Sequence, residues 1–466
     1  KKVRSKKFKI TFFLLINFVA VFAQQKTDTL SFDEFKKIIL NYHPIALKAN
    51  LLNDFARAKM GQARGNFDPK LSLNYDQKEY DGNSYYRFLT PEVKLPLWYG
   101  LELKASYSEA EGAYISPENK LPKEGLSFLG VNMSLGKGLL MDKRRAAIKK
   151  AQIFNSASKI EQQKLINDLM LEAGESYLSW QNNYKIAKVY ENALKLTEVR
   201  YEAIKGSLVG GDRPAIDTLE MLTQLQQRQI QLQQANLNLQ NSFYELSSFL
   251  WLENNQPYPI EQLNLAPIDQ DIVMSGLNNL SIDNNPKLLM YGFKLRDLQI
   301  DKRLKAESLR PTLDLQLGVL NGGNSAFRNV NAGYWRNNNK VGVQLAFPLT
   351  FQSARSEFTE AKLKIMEVEY EQFSLRNELN AKLNQNYAEA QTLKSQLLLI
   401  DQSLTANKKL LEGEELKFTF GDSSIFLVNA RETKLIETTE KLMETTFKLR
   451  KNKLKAEWLL GNLSVN

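Results

Sequence analysis

One pattern occurs twice in this chain, and a chain made of two copies of a long unit has few folds open to it. Asn41-Tyr42-His43-Pro44-Ile45 opens a helical stretch that ends at Phe67-Asp68-Pro69-Lys70-Leu71-Ser72-Leu73. Asn284-Asn285-Pro286-Lys287-Leu288 opens another, ending at Leu309-Arg310-Pro311-Thr312-Leu313-Asp314-Leu315. The two prolines stand 25 residues apart in each copy, and the copies are offset by 242. A second block follows at an offset of 210: Val131, Met133 and Leu135 lead to Arg145, Ala151 and Tyr177, as Val341, Val343 and Leu345 lead to Arg355, Ala361 and Tyr387. The first copy therefore holds about 32 extra residues within 77–125, as an added hairpin or an enlarged loop. The order helix, proline, strand, loop, strand, very long helix, met twice, predicts an internal tandem repeat with units at 24–260 and 261–466.

The strand blocks, expected within 70–137 and 311–349, alternate with period 2. Leu71, Leu73 and Tyr75 interleave with Ser72, Asn74 and Asp76, and Leu313, Leu315, Leu317 and Val319 with Asp314, Gln316 and Gly318. Val131, Met133 and Leu135, and then Val341, Val343, Leu345 and Phe347, complete four such segments. Each has one apolar and one polar face and the ~9–11 residues that a tilted strand needs to cross a bilayer. Trp98, Tyr99, Tyr107, Tyr334, Trp335, Phe347 and Phe351 fit an interfacial girdle or an ordinary core. The Gly- and Asn-rich stretch 321–339 suits an exposed loop.

The helical segments are longer than a globular domain uses. From Asp142 to Lys205 there is no proline and one glycine, Gly174. A second such stretch runs from Gln352 to Phe420. Each is followed by another long helix, giving helical hairpins over 142–252 and 352–461. Ile216, Leu219, Leu222 and Leu225, and later Leu427, Leu435, Ile436 and Leu442, keep helical spacing among Gln, Glu, Lys and Asn, a pattern for coiled-coil packing. The Gln-rich run 224–240 is a solvated helix face on the same ground.

The net charge of +10 points away from nucleic acid once it is located: six of the positive charges lie in the first ten residues. That basic start and the apolar run Ile10–Ala23 predict a signal peptide over 1–23, cleaved after Ala23. There is no cysteine and one histidine, His43, for which a structural role is expected. Thiol chemistry and most metal clusters are excluded, and no catalytic constellation, cofactor motif or metal site is visible. The basic cluster Lys143, Arg144, Arg145, Lys149 and Lys150 suits either a membrane interface or a solvated helix face.

Four strands cannot close a membrane barrel, because an open sheet edge in lipid leaves backbone groups unpaired at several kcal/mol each. Strands must be pooled between chains, and three chains of four give twelve. The duplicated helix start, Asn-x-x-Pro in the first copy and Asn-Asn-Pro in the second, the Asp-Pro-x-Leu and Arg-Pro-x-Leu strand starts and the paired long hairpins resemble the TolC family of outer-membrane efflux proteins over about 30–460. The turn from Gly210-Gly211-Asp212-Arg213 to Leu219 and its counterpart from Phe420-Gly421-Asp422-Ser423 to Arg431 look like that family's hairpin tips.

The resemblance implies a mainly α fold with a transmembrane β part: a homotrimer with a shared 12-stranded β-barrel in outer-membrane lipid and a long α-helical barrel across the periplasm. It implies a periplasmic adaptor (membrane fusion) protein and an inner-membrane pump as partners, with small molecules as cargo. Adaptor docking falls by resemblance on Gly206, Gly210, Gly211, Asp212, Gly421, Asp422 and Ser423. These residues also suit plain helix capping, with Asp212 or Asp422 as N-cap. The family closes its periplasmic end with acidic residues just past the tips. Asp217 matches that position in the first copy, while Phe426 and Asn429 stand where acids would be in the second. A periplasmic gate of Asp217, Phe426 and Asn429 is the expectation. A type I protein secretion conduit and a soluble periplasmic coiled-coil scaffold remain as alternatives; an enzyme is the least favoured class.

Overall fold

The computed structural model describes residues 28–259, 265–268, 281–324 and 337–464. The expected signal peptide, most of the loop after Asn321, and Tyr334 and Trp335 lie outside the described residues. No helix among the described residues is long and apolar enough to cross a membrane.

Two short helices begin the fold, α1 (Phe32–Tyr42) and α2 (Pro44–Gly65). Four strands follow: β2 (Lys70–Tyr80), β3 (Asn83–Pro96), β4 (Leu101–Glu111) and β5 (Leu126–Ser134). The first long hairpin is α3 (Lys143–Val209) and α4 (Ala215–Ser247). The second half repeats the order with α5 (Pro286–Glu307), β9 (Thr312–Gly322), β10 (Asn339–Ala346), α6 (Gln352–Thr419) and α7 (Ile425–Leu460). The helices correspond closely in length: 22 residues in both α2 and α5, 67 in α3 and 68 in α6, 33 in α4 and 36 in α7. At ~1.5 Å per residue the long ones span roughly 100 Å.

Local chemistry places the helix starts where the sequence predicts them. Pro44 and Pro286 each occupy the first turn, where a missing N–H costs nothing. Each is preceded by a capping side chain: His43 Nδ1 accepts from the Ile45 N–H at 3.2 Å, and Asn285 Oδ1 from the Lys287 N–H at 2.9 Å. α3 starts at Asp142, whose carboxylate accepts from the Arg145 N–H.

The hairpins lie along each other, and α3 packs against α7 as well as α4. Near the sheet the neighbours are α2 on α3, α3 on α5 and α5 on α6. Small residues let α3 approach closely: Ala151, Ala157, Ala173, Gly174, Ala187 and Ala193 are all buried. A Cβ on Gly174 would lie 2.6 Å from Leu454 Cδ2 of α7, which explains a glycine in the middle of that helix. At mid-height Phe35, Ile39, Leu169, Met170, Trp180, Leu246 and Leu250 form the largest apolar cluster. Tyr177 joins it and donates its hydroxyl to the Leu30 carbonyl at 2.8 Å. Beside it β1 (Asp28–Leu30) pairs in parallel with β8 (Leu265–Pro267), while β6 (Trp251–Leu252) pairs with β7 (Gln256–Pro257).

The main sheet departs from the four-strand expectation. It has six antiparallel strands in the order β10-β9-β5-β4-β3-β2. The extra residues of the first copy are the hairpin β3–β4, inserted between β2 and β5. A shared barrel of twelve strands therefore does not follow from this sheet. The alternation across Leu89, Pro91, Val93 and Leu95 is regular, but Pro91 has no N–H to give and argues against a central strand. The structure accommodates it as a gap: the β3–β4 ladder has no bridge between Leu89↔Glu109 and Glu92↔Ser106. Thr90 Oγ1 and Ser108 Oγ span the gap at 3.2 Å.

The basic cluster at the start of α3 is divided: Lys143 and Lys149 are exposed, as on a solvated face, while Arg145 and Lys150 are engaged by the protein. Arg145 is buried; its guanidinium bonds Asp142 and the Gly138 and Leu139 carbonyls. Lys150 pairs with Asp301 at 2.6 Å and Asp297 at 3.3 Å on α5. Burial opposes its charge, but those two carboxylates outweigh burial and raise its pKa.

His43 is buried, stacked on Phe249 and edge-on to Trp251. Burial lowers its pKa from 6.5, which keeps the ring neutral and its Nδ1 free to accept. A depressed histidine pKa means the unfolded chain binds more protons, so this stability is complete above the unfolded value and lost as pH falls below it. The unfolding midpoint is expected to drop as pH falls below about 6.5, before the carboxylates titrate. His43→Asn caps without titrating and should flatten that slope; an unchanged slope in the variant removes His43 as its source. Gly174→Val should cost about 1–3 kcal/mol in denaturant melts by overpacking against Leu454.

Candidate functional site: the hairpin tips and the two-faced sheet

Five residues join the helices at each tip, 210–214 and 420–424. The two turns use the same bonds. Gly210 N–H donates to the Gly206 carbonyl and Asp212 N–H to that of Ser207; Phe420 N–H donates to Leu416 and Asp422 N–H to Lys417. Gly211 and Gly421 occupy the left-handed region at φ 77° and 83°, the position that closes such a helix end. The caps of the returning helices are Pro214, with no side-chain bond, and Ser424, whose hydroxyl accepts from the Leu427 N–H. Asp212 and Asp422 are therefore not the N-caps.

The two tips are tied together. The Arg213 guanidinium lies 4.2 Å from the Phe418 ring centre on α6, and Ile204, Met221, Ile425 and Val428 form one apolar cluster beneath both turns. Ser423 Oγ donates to Glu414 at 2.5 Å, and Arg431 lies 3.6 Å from the same carboxylate. The Ser423 bond, chiefly, holds the Glu414 carboxyl below the usual carboxylate range. Around this platform Val209, Ile216, Leu219, Leu416, Phe420 and Phe426 are exposed.

The three expected gate residues have different surroundings. Phe426 is 60% exposed and lines a groove with Glu220, Gln224, Thr433, Lys434 and Glu437. Asn429 reaches the same groove but is buried, with Nδ2 at 3.4 Å from Met221 Sδ and Oδ1 unbonded. Asp217 does not line that groove; it sits 3.8 Å from Arg213 in the first turn of α4.

One to five turns above the tips lies a polar belt that periodicity alone does not reveal. Arg200 bonds Glu432 at 2.7 Å and Glu415 at 3.1 Å. Arg228, fully buried on α4, donates to Gln231 and to Thr433 of α7, both at 2.8 Å. Tyr190 donates to Glu440 at 2.7 Å; burial first and that carboxylate second push its phenol pKa up. A signal was present in the sequence, since Arg228 interrupts an otherwise neutral Gln-rich run.

At the other end, register sorts the sheet into two faces. In all five pairings odd-numbered residues lie opposite odd-numbered ones, except beyond the β2–β3 bulge at Lys78–Glu79, where Glu79 faces Ser84 and Tyr80 faces Asn83. Antiparallel partners share a face. One face thus carries Leu71, Val93, Ala105, Leu129 and Val319 in one row and Leu95, Leu103, Val131, Leu317 and Val341 in the next. The other carries Ser72, Glu92, Lys94, Glu102, Lys104, Asn132, Gln316 and Gln344. The outermost strands β2 and β10 each have one unpaired edge.

No protein-family model matches the chain, and no curated protein sequence matches it. Solved structures do match. The outer-membrane channel OprN aligns with a TM-score of 0.66 at 12% identity, over 92% of this chain and 89% of its own. The outer membrane protein VceC of Vibrio cholerae aligns at 0.64 and 13% identity, over 92% and 95%. The CmeC outer membrane channel of Campylobacter jejuni aligns at 0.63 and 13% identity, over 92% and 85%. Two-faced sheet, long paired hairpins and near-complete alignment agree: the chain has the fold of the TolC-like outer-membrane channels.

Proposed function

We propose that this chain is one subunit of a homotrimeric outer-membrane channel in a tripartite efflux system, built from two structural repeats, 24–260 and 261–466. It conducts small molecules and catalyses no reaction. One observation carries the reading. Both sheet edges are unpaired, and each lies in line with a helix flank bearing exposed apolar side chains. On the β2 side these are Leu47, Leu51 and Phe55 of α2, four residues apart; on the β10 side they are Leu363, Met366, Tyr370 and Phe373 of α6. Two different flanks that complement each other make a head-to-tail interface, and such interfaces close into rings. Edge pairing between copies satisfies the backbone groups that lipid would leave unpaired. Three copies of a six-stranded sheet pool eighteen strands, an even number in the range that encloses an aqueous channel.

In this reading the apolar face meets lipid, the polar face lines the duct, and the helices extend it through the periplasm. The tips, with Gly206, Gly210, Gly211, Asp212, Gly421, Asp422 and Ser423, dock a periplasmic adaptor linked to an inner-membrane pump. The exposed Val209, Leu416 and Phe420 supply apolar area there, and the rigid pairing of the two turns through Arg213 and Phe418 presets the docking shape. Asp217 and Phe426 narrow the periplasmic end, with Asn429 packed behind Phe426.

A large trimer in detergent that conducts ions in planar bilayers is expected; a water-soluble monomer would overturn the channel and favour the scaffold. Phe426→Ala and Asp217→Ala should each raise single-channel conductance, and wild-type conductance in both would remove the gate. Gly421→Ala, at a φ of 83°, should cost about 1 kcal/mol at the tip and weaken adaptor capture while leaving conductance unchanged.

A further inference from the structure

The inserted hairpin brings a feature to the polar face of the sheet that the four aligned strand segments lack. A single register row crosses all six strands: Lys70 lies opposite Lys94, Lys94 opposite Lys104, Lys104 opposite Gly130, Gly130 opposite Gly318 and Gly318 opposite Lys340. Four of the six positions in that row are lysine. Like charges directly opposite each other on one sheet face are destabilising, so such a row needs a reason or a counterion.

Part of the counterion is present. Glu92, one row further from the helices, is buried and pairs with both Lys94 and Lys104. The carboxylate on the opposite side of the row, Glu102, has Arg144 at 3.9 Å, and Asp314 accepts from Ser134 at 2.8 Å. Two carboxylates, Glu92 in contact and Glu102 at longer range with Arg144 beside it, face four ammonium groups, and the row stays net positive. The two glycines in it are covered by Phe128, whose ring would collide with a Cβ on either, and Lys340 lies 6.0 Å from that ring. The middle of the row is therefore flat and apolar, with the charge on its flanks.

We propose that Lys70, Lys94, Lys104 and Lys340 form a cationic band around the inner wall of the assembled barrel, giving the duct a preference for small anions and anionic solutes. This rests on the channel reading above, which places the polar face inward. Glu92 acts as a positioning residue: it holds Lys94 and Lys104 against the wall and moderates the band. Charge of one sign lining a low-dielectric passage concentrates the opposite ion, and the effect fades once salt shortens the screening length to a few Å.

The experiment is the reversal potential of the full-length trimer in planar bilayers of neutral lipid under a potassium chloride gradient at low salt. Wild type should favour chloride over potassium. Lys70→Gln with Lys340→Gln, at exposed positions where folding is least at risk, should lower that ratio roughly two-fold or more. Lys94→Gln with Lys104→Gln should lower it as well, whereas Glu92→Gln should raise it. A purely structural role for these side chains does not predict opposite signs for lysine and glutamate variants. Conductance with potassium preference, or a ratio unmoved in the assembled Lys70/Lys340 variant, overturns the band and leaves the channel standing. Absence of any conductance in the wild-type protein overturns both.

Discussion

A β-sheet edge has nowhere to hide in hydrocarbon. Each unpaired N–H and C=O costs several kcal/mol there, and that constraint organises the rest of this molecule. It requires every strand to find a neighbour on both sides, which a six-stranded sheet with two free edges cannot do within one chain. It also requires that whatever pairs the edges be supported below, because a strand ladder alone fixes register and not curvature. The exposed stripes on α2 and α6 answer that second requirement. They stand directly under the edge strands β2 and β10, since α2 leads into β2 and β10 leads into α6. Sheet edge and helix flank thus form one continuous seam.

The inserted hairpin strains this correspondence between strands and helices. Four strands continue into or out of the four neighbouring helices α2, α3, α5 and α6, while β3 and β4 have no helix beneath them. Two extra strands widen a sheet by about 10 Å at the usual interstrand spacing. That is about the width of one helix, yet α2 and α3 pack directly against each other with no gap. The sheet is therefore broader than its helical base, and the hairpin's lower turn is where the two are reconciled. Trp98 in that turn stacks on Phe67 at 5.1 Å, and the Arg145 guanidinium lies over Tyr99 at 5.9 Å. The turn is tied to the end of α2 through Trp98 on Phe67 and to the head of α3 through Arg145 on Tyr99.

Most of this architecture was legible in the sequence because it is periodic. Pro44 and Pro286, the two glycine turns and the unbroken runs behind them mark helix starts and stops by local chemistry that tertiary packing does not alter. The hairpin was harder. Its apolar alternation is present, but Pro91 and the charged Glu92, Lys94, Glu102 and Lys104 are ordinary loop residues unless a polar face needs them. The burial of Arg145 escaped the sequence for a related reason. Whether a polar residue on a long helix faces solvent depends on which neighbour lies against it, and a period of 3.6 cannot say which of two flanks is covered. Arg228 belongs with it, as a charge in a glutamine run that reads as solvated and is in fact fully buried.

The two ends of the molecule use charge under opposite physical conditions. Near the tips Arg200, Arg228, Glu432 and Glu440 are packed between helices, where an ionic group is tolerated only with partners at hydrogen-bond distance. Removing one partner there strands another, so the belt resists independent change and fixes how the two hairpins register. In the sheet Glu92 pairs with Lys94 and Lys104, while Lys70 and Lys340 have no ion-pair partner among the described residues. Unpaired charge persists only where water reaches it. The imbalance is thus itself an argument about topology: the polar face of the sheet must border an aqueous space, although the opposite face is apolar enough to border lipid.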